Sequence, residues 1–224
     1  MKRERPVCKV ALINLDGSTI GILIDAFKQF RIQALDVTTR DYSGLGNERF
    51  DGCVLRLVPG CEAILEGIRN SRRDRHVFIY GITVPGKTIE HVSKFGINVL
   101  LEEPVVRQAA LKIIRSTHLL VLHEFRRYVR VPLITDVTVK SGNTSYECSS
   151  VELSGGGMSL QSTAKLEFDH VVECSLKLPD NETLSCSATV CWIRPERELI
   201  GVRFTLTDKR RELIKKWIEQ YLEM

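Results

Sequence analysis

The spacing of hydrophobic positions in this 224-residue chain changes near its middle. In the first half, short apolar runs alternate with helical stripes. Val7–Leu15 reads as a strand. Ile20, Leu23, Ile24, Phe27 and Phe30 then mark one apolar face of a helix over Ser18–Phe30. Ala34–Thr39, Gly52–Val58, Val77–Thr83 and Ile97–Leu101 continue the strands, and Ala63–Ser71 and Lys87–Lys94 read as short helices. A long helix is expected from Pro104, a residue suited to a first helical turn. Val106, Ala109, Ala110, Ile113, Ile114, Thr117, Leu120 and Val121 keep its 3.6 period. Five β–α units of this size predict a five-stranded parallel sheet with helices on both faces.

From residue 123 onward the pattern becomes all-strand. Ile134–Lys140, Thr144–Leu153, Met158–Gln161, Val171–Leu178, Leu184–Ile193 and Glu198–Leu206 alternate or run apolar. Turn chemistry separates them at 141–143, 155–157, 179–181 and 194–196. Short strands at this spacing predict a small six-stranded barrel. A final helix is expected from a Thr207 cap, with Leu213, Ile214, Trp217, Ile218, Tyr221 and Leu222 on its apolar face. The fold class is therefore α/β followed by all-β, with domains at 1–122 and 123–224 joined by one long helix.

Composition narrows the classes. Hydrophobic residues make up 43% and charged residues 27%, which excludes a disordered or fibrous chain. No apolar run approaches the ~18 residues of a membrane span. The start, Met-Lys-Arg-Glu-Arg-Pro, lacks the apolar core of a signal peptide, so a cytoplasmic protein with no membrane partner is expected. The seven cysteines contain no Cys-x-x-Cys and lie among apolar neighbours, as buried thiols in a reducing compartment would. The net charge of +4 is too small to argue for nucleic-acid binding. No metal-ligand spacing, nucleophile elbow, P-loop or His-Glu-x-x-His occurs, so neither an enzyme nor a metal or other cofactor is expected.

The first half resembles the receiver domain of two-component response regulators, a flavodoxin-like fold. The resemblance is architectural. A receiver carries an acidic pair after its first strand, an Asp acceptor ending the third, a Thr or Ser after the fourth and Lys-Pro after the fifth. Here those positions hold Leu15-Asp16, Arg56, Thr83 and Glu103-Pro104. Arg56 cannot accept a phosphoryl group, and Glu103 reverses the charge of the expected Lys. A degenerate receiver is therefore expected, acting through a protein partner or as a homodimer. Asp16 reads as a turn residue and Arg72-Arg73-Asp74-Arg75 as a solvated loop.

Two motifs in the second half carry the candidate chemistry. Arg126-Arg127-Tyr128-Val129-Arg130 follows the long helix, and Glu152-Leu153-Ser154-Gly155-Gly156-Gly157 ends one strand and begins another. Together they resemble the Arg-x-x-x-Arg and Asp/Asn-x-Ser-x-x-Gly signature of the PilZ domain, a six-stranded barrel that binds the second messenger cyclic di-GMP. Ala188–Arg194 and Ile200-Gly201-Val202-Arg203-Phe204 match that family's late strands, and the terminal helix fits too.

The resemblance implies cyclic di-GMP as ligand, with Arg126, Arg127, Arg130, Glu152, Ser154 and Gly157 as its site. The chemistry agrees. Guanidinium groups bind phosphate bidentately, meet the O6/N7 edge of guanine and stack on its face. Arg126 and Arg130, on what reads as a flexible segment, can wrap one ligand. Arg127 either joins them or is solvated. A carboxylate accepts the guanine N1/N2 protons, the Ser154 hydroxyl suits a phosphate or base edge, and Gly157 permits close backbone approach or positive φ.

Glu152 stands where the family has Asp or Asn. It either keeps the hydrogen bond from one methylene further out or crowds the site and weakens binding. Phe125, apolar where an Arg favours stacked ligand pairs, implies one ligand per site. The expected function is a signalling adaptor in which ligand orders 126–130, changes the interdomain angle and so alters a partner surface. The alternative is a ligand-independent scaffold.

Overall fold

A computed structural model of the chain describes residues 6–46, 48–86, 92–178 and 183–223. It divides into two compact units, Val7–Phe125 and Arg126–Met224.

In the first unit β1 (Lys9–Ile13), β2 (Gln33–Val37), β3 (Gly52–Arg56), β4 (Phe78–Thr83) and β5 (Val99–Glu102) form a parallel sheet in the order β2-β1-β3-β4-β5. This is the doubly wound flavodoxin-like order. Because both faces are covered, the central strands run continuously apolar. Val10, Leu12, Val54 and Tyr80 pack on one face with Leu23 and Phe27 of α1 (Gly17–Lys28) and Ile114 and Val121 of α3 (Arg107–Tyr128). Ala11, Ile13, Cys53 and Ile79 pack on the other with Ile64, Leu65 and Ile68 of α2 (Glu62–Asn70).

Local chemistry sets the helix ends. Asp16 caps α1 by accepting the Thr19 N–H at 3.0 Å and the Ser18 hydroxyl at 2.5 Å. These bonds hold its carboxyl well below the usual carboxylate range. Arg69, in the last turn of α2, donates to four backbone carbonyls: Phe95 and Gly96 at 2.7 Å, Arg75 at 2.8 Å and Val77 at 2.9 Å. That fork ties α2 to the segments leading into β4 and β5.

Two expectations need correction here, and a third goes largely untested. The long helix begins at Arg107, not Pro104; the Val106 carbonyl accepts its first bond, from the Ala110 N–H at 3.0 Å. The run at 72–75 is not simply solvated, since Asp74 is 4% exposed and is held by the Tyr42 hydroxyl and the Arg73 guanidinium. The helix expected over 87–94 lies largely outside the described residues, which resume at a 3-10 turn, Val92–Phe95.

The second unit is a barrel. β7 (Asp136–Ser141), β8 (Thr144–Ser154), β9 (Gly157–Gln161), β10 (Val171–Lys177), β11 (Thr183–Arg194) and β12 (Leu199–Phe204) pair in the order β8-β7-β10-β11-β12-β9. The β8–β9 pairing closes the ring, so these six strands leave no free edge. A two-residue strand, β6 (Val131–Pro132), absent from the sequence pattern, pairs with Leu153 and Glu152 of β8. Val139, Leu160, Cys174, Cys186, Val190 and Val202 fill the interior from alternate positions.

α4 (Arg211–Glu223) packs against β8 and β11 through buried Ile214 and Ile218. It starts three residues later than a Thr207 cap would set it. The Asp208 carboxylate instead takes the Ser187 N–H at 2.8 Å and the Arg210 guanidinium, binding the preceding turn to β11. The turn at 179–181 lies outside the described residues. All seven cysteines are free thiols; burial pushes Cys53 and Cys186 up to about 12.

Candidate ligand site

Arg126 and Arg127 lie in the last turn of α3, so the first part of the Arg motif is helical rather than flexible. After Tyr128 the backbone turns extended. Val129 and Val131 are buried while Arg130 between them is exposed, which aims its side chain outward. Arg130 Nη1 lies 3.5 Å from Oε1 of Glu152. Arg126 Nη2 donates to Glu223 of α4 at 3.3 Å, and the Arg127 guanidinium sits over the Tyr128 ring, 5.3 Å from its centroid.

Glu152 sits on β8 beside an irregularity in the β8–β9 register between Ser150 and Glu152. Such a bulge re-aims a side chain. Its carboxylate accepts the Ser159 hydroxyl at 3.1 Å as well as facing Arg130. Arg130, Glu152 and Ser159 therefore form one polar cluster. Ser159 was not singled out from the sequence; only its register partnership with Glu152 across the hairpin reveals it.

Ser154 and Gly157 serve the backbone around that cluster. The buried Ser154 hydroxyl donates to the Gly157 carbonyl at 2.9 Å, tying off the β8–β9 hairpin. A Cβ at Gly157 would lie 2.1 Å from the Val202 carbonyl oxygen of β12. Close strand approach, not positive φ, is what requires glycine there. Gly201 is required for a similar reason, since a Cβ would fall 2.1 Å from the Trp192 ring. Arg194 stacks over that ring, with its guanidinium carbon 5.1 Å from the centroid.

The ion pairs at Arg126 and Arg130 involve side chains that keep a third to two thirds of their surface exposed. Such pairs are worth about 0–1 kcal/mol. Pairs this weak leave both guanidinium groups open to exchange with a stronger acceptor, since a hydrogen bond to a charged group contributes roughly 1.5–3 kcal/mol.

In the first unit, the positions of a receiver's phosphorylation chemistry hold a charge-reversed pair. Arg56, at the end of β3, donates from Nη2 to Glu103 at 2.7 Å, with Nε 2.6 Å from the other carboxylate oxygen. Thr83 donates to the Leu101 carbonyl, and Asp16 is occupied as a cap. Among the described residues no group of three or more His, Cys, Asp or Glu is placed to hold a metal ion.

The family model of the PilZ domain matches residues 124–222. The second unit is a PilZ domain. Among solved structures, the PilZ domain of CeSA from a cellulose-synthesizing bacterium is 22% identical and covers 43% of this chain and 100% of its own, with a TM-score of 0.37. The PilZ domain of Escherichia coli YcgR, solved with cyclic di-GMP, is 18% identical over 44% of this chain and 91% of its own, at 0.35. Over the first unit, the chemotaxis response regulator CheY4 of Vibrio cholerae is 16% identical over 50% of this chain and 98% of its own, at 0.40. No curated protein sequence matches the chain. No helix among the described residues is long and apolar enough to cross a membrane.

Proposed function

We propose that the PilZ domain binds cyclic di-GMP and that the protein is a non-enzymatic signalling adaptor. The observation that carries this reading is the exposed cluster in which Arg130 and Glu152 meet, four residues along the chain from Arg126 in the last turn of α3. Arg126 and Arg130 take phosphate oxygens and the guanine edge, Arg127 adds a third guanidinium, and Glu152 accepts the guanine N1/N2 protons. Ser154 and Gly157 hold the hairpin that presents Glu152. Binding exchanges ion-pair partners: the ligand replaces Glu223 on Arg126. That loosens the end of α4 and changes the surface offered to a protein partner.

Competition tests the assignment. A fluorescent cyclic di-GMP bound to the intact protein should be displaced by unlabelled cyclic di-GMP and not by cyclic di-AMP or GTP. Equal displacement by all three would contradict a guanine-reading site.

One observation favours the scaffold reading. Glu152 already has Arg130 and Ser159 as partners, so the cluster is satisfied without ligand. Glu152→Asp separates the two. Shortening the side chain draws it off Ser159 and restores the family's residue, so a binding site gains affinity. A barrel that has lost binding through Glu152 is silent in the parent and responds only in the variant.

A further inference from the structure

The carboxyl ends of β1 and β3 open onto a cavity of about 330 Å³ in the first unit. In this strand order the chain leaves β1 toward β2 on one side and leaves β3 toward β4 on the other. The β1/β3 boundary is thus the sheet's switch point, where diverging loops leave a crevice. None of Arg126, Arg130 and Glu152 lines the cavity, and of the positions of receiver chemistry only Arg56 does.

Its lining is chemically one-sided. Arg40 and Arg56 contribute guanidinium groups and no carboxylate lines it. Val58, Pro59 and Ile64 supply an apolar wall. Arg40 is exposed and has no hydrogen-bond or ion-pair partner among the described residues. Glu103 holds Arg56 through Nε and Nη2, which leaves the Nη1 hydrogens available. Asn14, in the left-handed region at φ 53°, fixes the loop that carries Arg40. Its side chain donates to the Thr39 carbonyl at 2.6 Å and accepts the Thr39 N–H at 2.9 Å. Strained backbone of this kind persists where surrounding structure over-determines it.

We propose that this cavity binds a phosphate monoester carried on a flat ring, a mononucleotide in chemical class. Arg40 and the Nη1 edge of Arg56 take the phosphate, and the Val58–Pro59–Ile64 wall takes the ring. The volume sits at the small end of ligand pockets, which suits one nucleotide.

The test is calorimetric titration of the intact protein with AMP, with adenosine and inorganic phosphate beside it. Arg40→Ala and Arg130→Ala variants run in parallel. Arg40 is exposed, so its variant should keep the parent's melting curve, and that is checked first. The proposal expects saturable AMP binding, weakened roughly tenfold or more by Arg40→Ala and unchanged by Arg130→Ala. Adenosine should give no heat, and phosphate should bind more weakly than AMP. No saturation at millimolar AMP, indifference to Arg40→Ala, or loss in Arg130→Ala would each overturn it. Phosphate binding as tightly as AMP would overturn the assignment of the ring.

Discussion

Replacing Gly157 with alanine sets a methyl carbon 2.1 Å from the Val202 carbonyl oxygen and 3.1 Å from the Arg203 Cα. Even weak C–H···O contacts in sheets sit at roughly 3.3–3.6 Å, so β9 must move away from β12 by about an ångström. Overpacking of this kind costs about 1–3 kcal/mol. A broken ladder hydrogen bond adds about 0.5–1.5 kcal/mol. The combined loss is roughly 2–4 kcal/mol. In a unit of about 100 residues each kcal/mol moves Tm by roughly 4–8 °C, so the barrel transition should fall by about 10–30 °C.

The neighbouring glycines supply the control. At Gly156 a Cβ meets nothing within 4 Å, and at Gly155 only the flexible Lys215 side chain at 3.0 Å. Gly156→Ala should therefore stay within about 0.5 kcal/mol of the parent. Differential scanning calorimetry of the three proteins reads this directly, with the two units resolved as separate transitions. A Gly157→Ala protein melting within about 2 °C of the parent, or a Gly156→Ala protein equally destabilised, would refute the reasoning.

Three further outcomes follow from named contacts. Glu223→Gln removes the carboxylate that competes for Arg126, so cyclic di-GMP affinity should rise up to about fivefold, and less at high salt; unchanged affinity at low salt would show that the pair does not compete. Incubation with acetyl phosphate should give no phospho-adduct on Val7–Phe125 by intact mass, because Arg56 stands at the acceptor position; a stable adduct there would contradict it. Asp51 is 5% exposed, and burial raises its carboxyl above the ordinary range. A raised folded pKa means that ionised Asp51 lowers stability at neutral pH and that this loss fades as pH falls toward the unfolded value. Asp51→Asn, which keeps an oxygen to accept the Lys9 N–H, should therefore raise Tm at pH 7 and lose that advantage in acid; a lower Tm at pH 7 would contradict the assignment.

The fold was legible wherever burial imposed a period. Strands covered on both faces read as apolar runs, and the α1 stripe marked its helix. Helix ends were less legible, because tertiary bonds decided them. Asp208 looked like a first-turn acid following a Thr207 cap, yet the Ser187 N–H takes its carboxylate and the helix waits until Arg211. Asp74 looked solvated because its partner Tyr42 is 32 residues away.

At the candidate site, the Arg and Glu positions were readable as a motif. Their partners Ser159 and Glu223 were not, since the first depends on hairpin register and the second on where α4 ends. Gly157 was readable as a position needing glycine, but only the neighbouring strand shows that the requirement is steric.

The central claim is that Arg126 and Arg130 bind cyclic di-GMP on the PilZ barrel. Calorimetric titration of the intact protein, beside an Arg126→Ala/Arg130→Ala double variant with an unchanged melting curve, tests it most directly. The account predicts saturable binding in the parent, weakened at least a hundredfold in the variant, since each lost charge-assisted hydrogen bond is worth roughly 1.5–3 kcal/mol. No heat in the parent at saturating ligand, or equal binding by both proteins, would contradict it.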